Sequence, residues 1–265
     1  MIFFLVSDPH GYNSLMQAEL EKAGFFKEKE AKLVILGDLL DRGGEAVEAV
    51  KFVMKMLEEG RLIYVRGNHE DLMMDMIEDL DNHRISEISN DSSHHVHNST
   101  WNTALQLTNM TSTEALLRPR ELSRRLKATD YVSKLIPASI NYYETKNYVF
   151  VHGWLPTLPT EESPFSRYMK VRTYNAEWRT ATEADWRRAR WQNGMDLACA
   201  QNIRARRKTV VCGHKSASYG HANISGICSQ WGEDAIYTPF TAKGIIAIDA
   251  CTAYSGKMNV LRLED

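Results

Sequence analysis

Residues 33–43, LVILGDLLDRG, join a continuous apolar run to a segment rich in aspartate and glycine. The run Leu33–Leu36 has the length and composition of a strand that is buried on both faces. The same change from apolar to polar residues follows Ile2–Val6, and it occurs again after Leu62–Val65. These three runs predict strands of a sheet whose two faces are both covered.

Helical patterns fill the two intervals between these strands. Asn13 is predicted to cap a helix that carries apolar residues at helical spacing and ends at Gly24. A second helix is predicted for residues 45–59, where valine, methionine and leucine recur on one face. Strand, helix, strand, helix, strand is typical of an α/β fold.

The middle of the chain differs in composition from the strands and helices of the first part. Residues 71–134 are polar and predicted to form a helical insertion, with a loop at Asn90–Thr100 that is rich in asparagine, serine and histidine. Strands are then predicted at Tyr148–Val151 and Thr209–Cys212, because both are short apolar runs.

The end of the chain is predicted to close a second sheet. Ile245–Asp249 and Met258–Leu263 read as the two strands of a hairpin, separated by the sequence TAYSGK. No linker rich in proline, glycine or serine divides the chain, so residues 1–265 are predicted to form a single domain.

Composition excludes several classes of protein. The formal net charge is −2, which gives no general attraction to nucleic acid or to an anionic membrane. The longest apolar runs are far shorter than a membrane span, and the N-terminal run lacks the features of a signal peptide. The four cysteines are widely spaced and predicted to be buried, reduced thiols, so a cytoplasmic location is expected.

Polar side chains follow five of the predicted strands. The segments after them are SDPHG at 7–11, GDLLDRG at 37–43, RGNHE at 66–70, HG at 152–153 and GH at 213–214. Ligands of open α/β sheets bind at the carboxyl ends of strands, so these side chains are expected to meet. Carboxylate, amide and imidazole groups without thiolate favour Mn, Fe or Zn, and their number suits two ions that share a carboxylate.

These motifs, in this order, resemble those of the calcineurin-like metallophosphoesterases. The resemblance is closest to the serine/threonine phosphoprotein phosphatase branch and its bacterial relatives, which include the symmetrical diadenosine tetraphosphate hydrolases. It implies a four-layer α/β/β/α sandwich. It also implies two divalent metal ions as cofactors, with Mn expected and Fe or Zn as alternatives. The metal ligands implied are Asp8, His10, Asp38, Asn68, His152 and His214.

The resemblance also implies a role for each residue. Asp8 and His10 would hold the first ion, Asp38 would bridge the pair, and the others would hold the second. His69 would act as general acid, oriented by Asp41. Arg42 would grip phosphate, and Arg190 is chosen as a second phosphate-binding arginine, although a solvated basic helix face is the alternative.

The function implied is hydrolysis of phosphate monoesters by in-line attack of a metal-bridging hydroxide. The partner would be a phosphorylated protein or a small phosphate substrate, not nucleic acid or a membrane, and the oligomeric state stays open. A symmetrical diadenosine tetraphosphate hydrolase is the alternative activity. A non-catalytic metal-binding scaffold is the alternative from another class.

Some residues depart from the family pattern or have ordinary structural explanations. Trp154 and Lys215 replace the usual residues of their motifs and are expected to project into the cleft. Glu70 is interpreted as a first-turn helix residue rather than a ligand. The tryptophans at helical spacing, which include Trp186 and Trp191, are predicted to belong to the core.

Overall fold

The computed structural model describes residues 1–82, 84, 88, 93–159 and 172–265. The strands, in chain order, are β1 (Ile2–Val6), β2 (Lys32–Leu36), β3 (Leu62–Val65), β4 (Tyr143–Glu144), β5 (Tyr148–Phe150), β6 (Thr157–Pro159), β7 (Arg172–Tyr174), β8 (Thr209–Cys212), β9 (Phe240–Ala242), β10 (Ile245–Ala247) and β11 (Leu261–Glu264). The α-helices are Asn13–Ala23, Ala46–Glu58, Asn68–Asp81, His94–His97, Thr100–Thr108, Ser112–Leu117, Pro119–Ala128, Ile136–Ala138, Glu183–Ala189, Ala217–Tyr219 and Thr252–Ser255. Short 3-10 helices lie at Phe25–Lys27 and Trp178–Thr180, and π-helical turns lie at Tyr131–Leu135, Asp196–Ala200 and Gly220–Ile224.

The first sheet has the strand order β11-β1-β2-β3. Strands β1, β2 and β3 are parallel, and β11 pairs with β1 in the antiparallel direction. The predicted strands of the first half are therefore confirmed. Because the three parallel strands end at the same edge, the polar segments that follow them share one location.

The second sheet has the strand order β4-β5-β8-β10-β9. Its three inner strands, β5, β8 and β10, are parallel, and β4 and β9 pair with them in the antiparallel direction at the edges. Strands β6 and β7 form a separate antiparallel ribbon. The strand ends before His152 and His214 therefore lie side by side in this sheet.

The two sheets pack face to face, and helices cover their outer faces. Along β1, Phe3 points between the sheets and packs edge to face against Phe150 of β5, with ring centroids 5.5 Å apart. The next residue, Phe4, points to the opposite face and packs with Leu20 of the first helix. Val210 of β8 belongs to a third cluster beneath the second helical layer. This alternation gives the four α/β/β/α layers that the resemblance implies.

The start of the first helix differs from its prediction. Asn13 is the first helical residue rather than the cap, and its Oδ1 accepts a hydrogen bond from Gln17 Nε2 at 3.1 Å. Glu45, at the start of the next helix, accepts instead from the backbone N–H of Ser14 at 2.8 Å. A carboxylate from elsewhere in the chain thus binds the helix N-terminus, which local sequence does not reveal.

The predicted terminal hairpin is wrong. Strand β10 ends at Ala247 in the second sheet, whereas β11 pairs with β1 in the first sheet. The segment between them contains the helix Thr252–Ser255 and carries the chain from one sheet to the other. Two apolar runs joined by a short polar segment are compatible with both arrangements, and tertiary packing selects the crossing.

The described part of residues 71–134, the predicted insertion, is mostly helical, and part of the predicted loop is helical as well. Residues 94–97 form a helical turn, and Ser93 Oγ accepts a hydrogen bond from the backbone N–H of His95 at 3.2 Å. Residues 90–92 lie outside the described part of the chain. The insertion packs into the same apolar cluster as the helices of the first sheet, through residues such as Trp101 and Leu122.

All four cysteines are free thiols, as predicted, but only Cys212 is fully buried and the other three are partly exposed. Among the residues that the structure describes, every helix is too short or too polar to cross a lipid bilayer.

Candidate metal centre

The loops after β1 and β2 are joined by backbone hydrogen bonds. The N–H of His10 donates to the carbonyl of Asp38 at 3.0 Å, and the N–H of Gly11 donates to that of Leu39 at 2.7 Å. These bonds extend the pairing of the two strands beyond their ends. They hold the side chains of the first two motifs against each other.

Two glycines allow other loops to approach this pair. A Cβ at Gly67 would collide with the carboxylate of Asp38, and a Cβ at Gly213 would collide with Ser7 and with Asp8. Any side chain at these positions would push the strand ends apart. The glycines of the motifs therefore set the size of the site.

The backbone of the site is strained at several places. Six predicted site residues have positive φ, a conformation uncommon for non-glycine residues: Asp8 (52°), His10 (49°), Asp38 (53°), Asp41 (76°), Arg42 (66°) and His214 (63°). Such conformations cost free energy and persist where the surroundings hold them, which is typical of functional sites.

The side chains form two groups of potential ligand atoms. His10, Asp38 and His69 make up one group, and Asp38, His152 and His214 make up the other. Within each group the atoms lie within 4.8 Å of one another, and all of these residues except His214 are buried. Asp38 belongs to both groups, as a bridging carboxylate would.

Backbone carbonyls fix the orientation of two of these imidazoles. The Nδ1 of His10 lies 3.0 Å from the carbonyl of Leu40, and the Nδ1 of His152 lies 2.6 Å from the carbonyl of Leu36. Each ring therefore donates its Nδ1–H to a backbone carbonyl, which leaves its Nε2 directed towards the other ligand atoms. Metal-ligating histidines in proteins are held in this way. The Nε2 of His152 also lies 2.8 Å from Asn68 Oδ1, which brings Asn68 into the second group.

Asp8 lies beside the second group rather than within the first. Its carboxylate accepts a hydrogen bond from the backbone N–H of His214 at 3.0 Å and a short one from the hydroxyl of Ser7. Burial, its largest influence, raises the pKa of Asp8 to about 6. Burial and the charge of Asp8 together raise the pKa of Asp249 well above its usual range. Sequence reasoning did not anticipate Asp249 here, because no motif contains it.

The ring of His69 contacts the carboxylate of Asp41 through Nδ1 and the guanidinium of Arg42 through Nε2. Its Nδ1 lies 2.6 Å from Asp41 Oδ2, which also accepts a hydrogen bond from Thr100 Oγ1 at 2.8 Å. On the other side of the ring, Arg42 Nη2 lies 3.3 Å from His69 Nε2, and Arg42 Nη1 lies 2.9 Å from His10 Nε2. Burial lowers the pKa of His69, but the carboxylates of Asp38 and Asp41 outweigh burial and raise it.

Arg190 is engaged elsewhere. Its guanidinium is buried and donates hydrogen bonds at 2.7 Å both to Asp71 and to Glu183, with a short bond to Asn141. These partners, Asp71, Glu183 and Asn141, are not members of the two ligand groups. Its predicted role in phosphate binding stays a prediction.

Glu70 has a second role besides the first-turn position that the sequence indicates. Its side chain is fully buried and accepts hydrogen bonds from the backbone N–H groups of Asp38, Leu39 and Gly67, at 3.0, 3.0 and 2.7 Å. The hydroxyl of Tyr64 donates to it as well, at 2.6 Å. Glu70 lies in the first turn of the helix Asn68–Asp81, as interpreted, and it also connects the loops after β2 and β3.

The aromatic residues near the site also differ from expectation. Trp154 is buried in the core beneath the second sheet, so the expectation that it projects into the cleft is wrong. Trp186 is buried as predicted, but Trp191 is 44% exposed and its ring lies edge to face against that of His214, with centroids 5.7 Å apart. Lys215 Nζ lies 5.0 Å above the ring of Tyr219.

The residues present fit a pair of divalent ions. Burial and the charge of His69 keep the pKa of His10 well below its usual range, and burial lowers the pKa of His214 to about 3. Both imidazoles therefore favour the neutral form that a metal ligand needs. For His152, burial lowers the pKa, but the charge of Asp38 outweighs burial and raises it to about 10, so a bound ion would have to displace the proton of this ring. Burial opposes ionisation of Asp38, yet the positive charges of His152 and His69 hold its pKa well below the usual range.

Comparison with known proteins agrees with this geometry. The model of the family described as calcineurin-like phosphoesterase matches residues 1–248. The bis(5'-nucleosyl)-tetraphosphatase PrpE [asymmetrical] of Bacillus velezensis is 38% identical over 76 residues, which are 26% of this chain and 30% of that protein. Serine/threonine-protein phosphatase 2 of Escherichia coli is 32% identical over 75 residues, 28% of this chain and 32% of that protein. These matches span about a third of the length of the relatives.

A solved structure shares the fold over the whole chain. The cold-active protein-tyrosine phosphatase of a psychrophilic Shewanella species superposes with a TM-score of 0.53 at 15% identity, over 100% of this chain and 75% of that one. At this identity the likeness concerns the fold alone.

Proposed function

The chain belongs to the calcineurin-like phosphoesterase family, whose members hydrolyse phosphoric esters, and we propose that it is a dinuclear metal-dependent phosphomonoesterase. Its substrate would be a phosphorylated protein or a small phosphate ester. The observation that carries the proposal is the place of Asp38 in both groups of ligand atoms. One carboxylate between two sets of imidazoles suits two ions better than one.

We assign the ligands as the motifs imply. Asp8 and His10 would serve one ion with Asp38, and Asn68, His152 and His214 would serve the other with the same carboxylate. Proximity supports each assignment, except that Asp8 approaches the site from the side of His214. Two divalent ions held there would polarise the phosphate oxygens and increase the acidity of a bound water.

The arginine at the site has the right chemistry for the substrate. Arg42 is exposed, and its guanidinium spans the Nε2 atoms of His10 and His69. A planar fork in this position can bind two oxygens of a phosphate at once. Arg42 would therefore hold the phosphate and orient it for in-line attack.

His69 is placed to handle the proton of the leaving group. The Asp41 carboxylate holds its Nδ1, so Nε2 faces the side on which Arg42 would hold the phosphate. The contact between His69 Nδ1 and the Asp41 carboxylate would stabilise the protonated ring, which is the form that donates. Proton transfer from His69 to the departing oxygen is thus the role that we assign to it.

A nucleoside polyphosphate hydrolase is the second candidate. A bis(5'-nucleosyl)-tetraphosphatase is among the relatives of this chain, although the match covers less than a third of that protein. Cleavage position is read from the products: diadenosine tetraphosphate gives two ADP in symmetrical cleavage, and ATP with AMP in asymmetrical cleavage.

The proposed function is tested with a substrate panel and one variant. Purified protein is supplied with Mn²⁺ and given phosphopeptides, p-nitrophenyl phosphate, diadenosine tetraphosphate and a phosphodiester. We expect monoester turnover and close to two bound ions per chain. Asp38→Asn should lower both metal content and turnover, the latter by more than about 100-fold, because even loss of an outer-shell partner costs 10- to 100-fold.

The matched control is Asp234→Asn, a change of the same chemistry at an exposed residue. It should leave metal content and turnover as they are. A wild-type protein that binds two ions but turns over none of the four substrates would favour the non-catalytic scaffold instead.

A further inference from the structure

The helix Thr100–Thr108 of the insertion lies against the loop that follows β2. Two polar residues of this helix, Thr100 and Gln106, form hydrogen bonds with the loop. The helix is itself held by packing, since Trp101 and Ala104 are buried in the apolar cluster that also contains the helices of the first sheet. A packed helix is a more precise support for a site than a loop would be.

Thr100 contacts the carboxylate that holds the proposed proton donor. Its side chain is fully buried, and its hydroxyl donates to Asp41 Oδ2 at 2.8 Å. The same oxygen lies 2.6 Å from Nδ1 of His69. The other oxygen, Asp41 Oδ1, is buried and has no hydrogen-bond partner among the residues that the structure describes. Of these two hydrogen bonds, only the contact with the ring would remain to orient the carboxylate if the hydroxyl were removed.

Gln106 binds the far end of the same loop. Its Nε2 donates to the carbonyl of Gly43 at 3.1 Å, and its Oε1 accepts from the backbone N–H of Ala46 at 3.2 Å. Asp41 and Arg42, which precede this second anchor, both have positive φ. Such conformations persist where surrounding contacts hold them, and the helix provides contacts at both ends of the strained segment.

We propose that Thr100 is a positioning residue, whose hydroxyl keeps the carboxylate of Asp41 aligned with His69. In this role Thr100 touches neither metal nor substrate and acts through the carboxylate. The inference rests on the proposed function, because its consequence is efficient proton transfer from His69 to the leaving group. It gives the helical insertion a part in the reaction that no motif of the metal centre indicates.

The test removes the hydroxyl of Thr100 and keeps the shape of the side chain. Thr100→Val is compared with the wild type in the turnover of an alkyl phosphate and of p-nitrophenyl phosphate, with Mn²⁺ supplied. We expect kcat for the alkyl phosphate to fall by about 10- to 100-fold, since a displacement of about 1 Å can cost about 10²-fold. For p-nitrophenyl phosphate, whose leaving group needs no proton, the fall should stay below about threefold. Thr100→Ser, which keeps a hydroxyl, should restore most of the alkyl phosphatase activity.

A double variant tests whether Thr100 acts through the proton donor. In the background of His69→Asn, Thr100→Val should change kcat for the alkyl phosphate by less than about twofold, because the group that it positions is already missing. Two independent effects would instead multiply.

The matched control is Thr103→Val. Thr103 lies in the same helix and is equally buried, but its hydroxyl has no hydrogen-bond partner within the described part of the chain. The same chemical change at this position should leave metal content and both turnover rates unchanged. If Thr100→Val does not fold, Thr100→Cys replaces it with the same expected pattern, because a thiol of similar size is a weaker donor.

Three results would overturn the inference. The first is that Thr100→Val lowers the turnover of both substrates equally, and the second is that Thr103→Val matches its effect. The third is that the effects of Thr100→Val and His69→Asn multiply in the double variant.

Absence of any turnover by the wild type is a failure of the proposed function instead, and NMR then decides the role of Thr100. In the Zn²⁺-loaded protein, the Nδ1 proton of His69 should give a signal that exchanges slowly with water, since a buried carboxylate holds it. The signal should persist in Thr103→Val and disappear in Thr100→Val. Its absence from the wild type, or its persistence in Thr100→Val, would also overturn the inference.

Discussion

The carboxylate of Glu70 accepts a hydrogen bond at 3.0 Å from the backbone N–H of Asp38, the residue common to both groups of ligand atoms. The two residues belong to different strand ends, so this bond fixes the loop after β2 relative to the helix that follows β3. Asp38 in turn accepts from the backbone N–H of His69 at 2.9 Å. The position of Asp38 thus depends on a residue that belongs to neither group of ligand atoms.

Glu70→Gln tests this dependence. The amide keeps the size of the side chain but removes its charge, and one of its two polar ends can no longer accept from an N–H. We expect a loss of about 1.5–3 kcal/mol in the free energy of unfolding, the usual range for hydrogen bonds to a charged group. Metal affinity should fall as well. Chemical denaturation and metal titration measure the two effects, with Glu48→Gln on an exposed helix face as the control. Unchanged metal affinity would contradict the positioning role.

His69→Asn tests the proton donor. We expect the metal content to persist and kcat to fall by about 10²–10⁴-fold for an alkyl phosphate, whose leaving group needs a proton. For p-nitrophenyl phosphate, which has a good leaving group, the fall should be much smaller. Asp41→Asn should show the same pattern in weaker form, because Asp41 acts through His69. Equal losses for both substrates would mean that His69 has another role.

Arg190 could bind the phosphate of the substrate or stabilise the fold through its buried ion pair with Asp71. We predict the second role. Replacing Arg190 by Met leaves the buried Asp71 with Arg66 as its remaining partner. The expected destabilisation is about 3 kcal/mol, the lower end for breaking a buried ion pair. The KM for phosphate esters should stay within about twofold under conditions where the variant is folded. Arg124→Met, at a side chain that is 70% exposed, is the control for loss of an arginine. A stable variant with a greatly raised KM would restore the role predicted from sequence.

Glu144 in β4 forms ion pairs with Arg179 and Lys208. These ion pairs predict that the stability of the protein depends on pH. The carboxylate of Glu144 binds Arg179 at 2.8 Å and Lys208 at 3.0 Å. The hydrogen bond from Arg179 has the largest effect and lowers the pKa of Glu144 from 4.5 to about 2. The stabilisation is therefore complete above about pH 4.5 and lost as the pH falls through about 2.

We expect Glu144→Gln to lower the free energy of unfolding by about 1–2 kcal/mol at pH 7, a value reduced for the partial exposure of Arg179. The difference from the wild type should shrink between pH 4.5 and 2. Denaturation curves across this range measure it, and Glu233→Gln at an exposed position is the control. A difference that did not vary with pH would show that packing rather than charge is responsible.

The sequence predicted those parts of the structure that follow from short local patterns. The three strands of the first half each join an apolar run to a distinctive polar motif, and the parallel geometry of the sheet then brings their ends together. His152 and His214 were placed by the same reasoning, although their motifs are only two or three residues long. Such positions are predictable because a strand of defined register leaves little freedom to the residue that follows it.

Features that depend on distant partners were not predictable. Nothing in the sequence near β11 shows that it pairs with β1 rather than β10, because its alternation of apolar and charged residues suits an edge strand of either sheet. The exposure of Trp191 depends on where the preceding helix ends relative to the second sheet. Arg190 lies three residues after Arg187 in a basic segment, yet only the former turns inward to meet Asp71. The charge pattern offers no basis for that distinction.

The division of the site between the two sheets has a consequence for protein synthesis. His69 completes the first group of ligand atoms, but the second group needs His214. A ribosome adds about 5–20 residues per second, so the 145 residues from 70 to 214 take roughly 7–30 s. Throughout that interval the nascent chain carries half of an ion site. We therefore expect ion uptake to be a late step of maturation, completed after translation has delivered the second sheet.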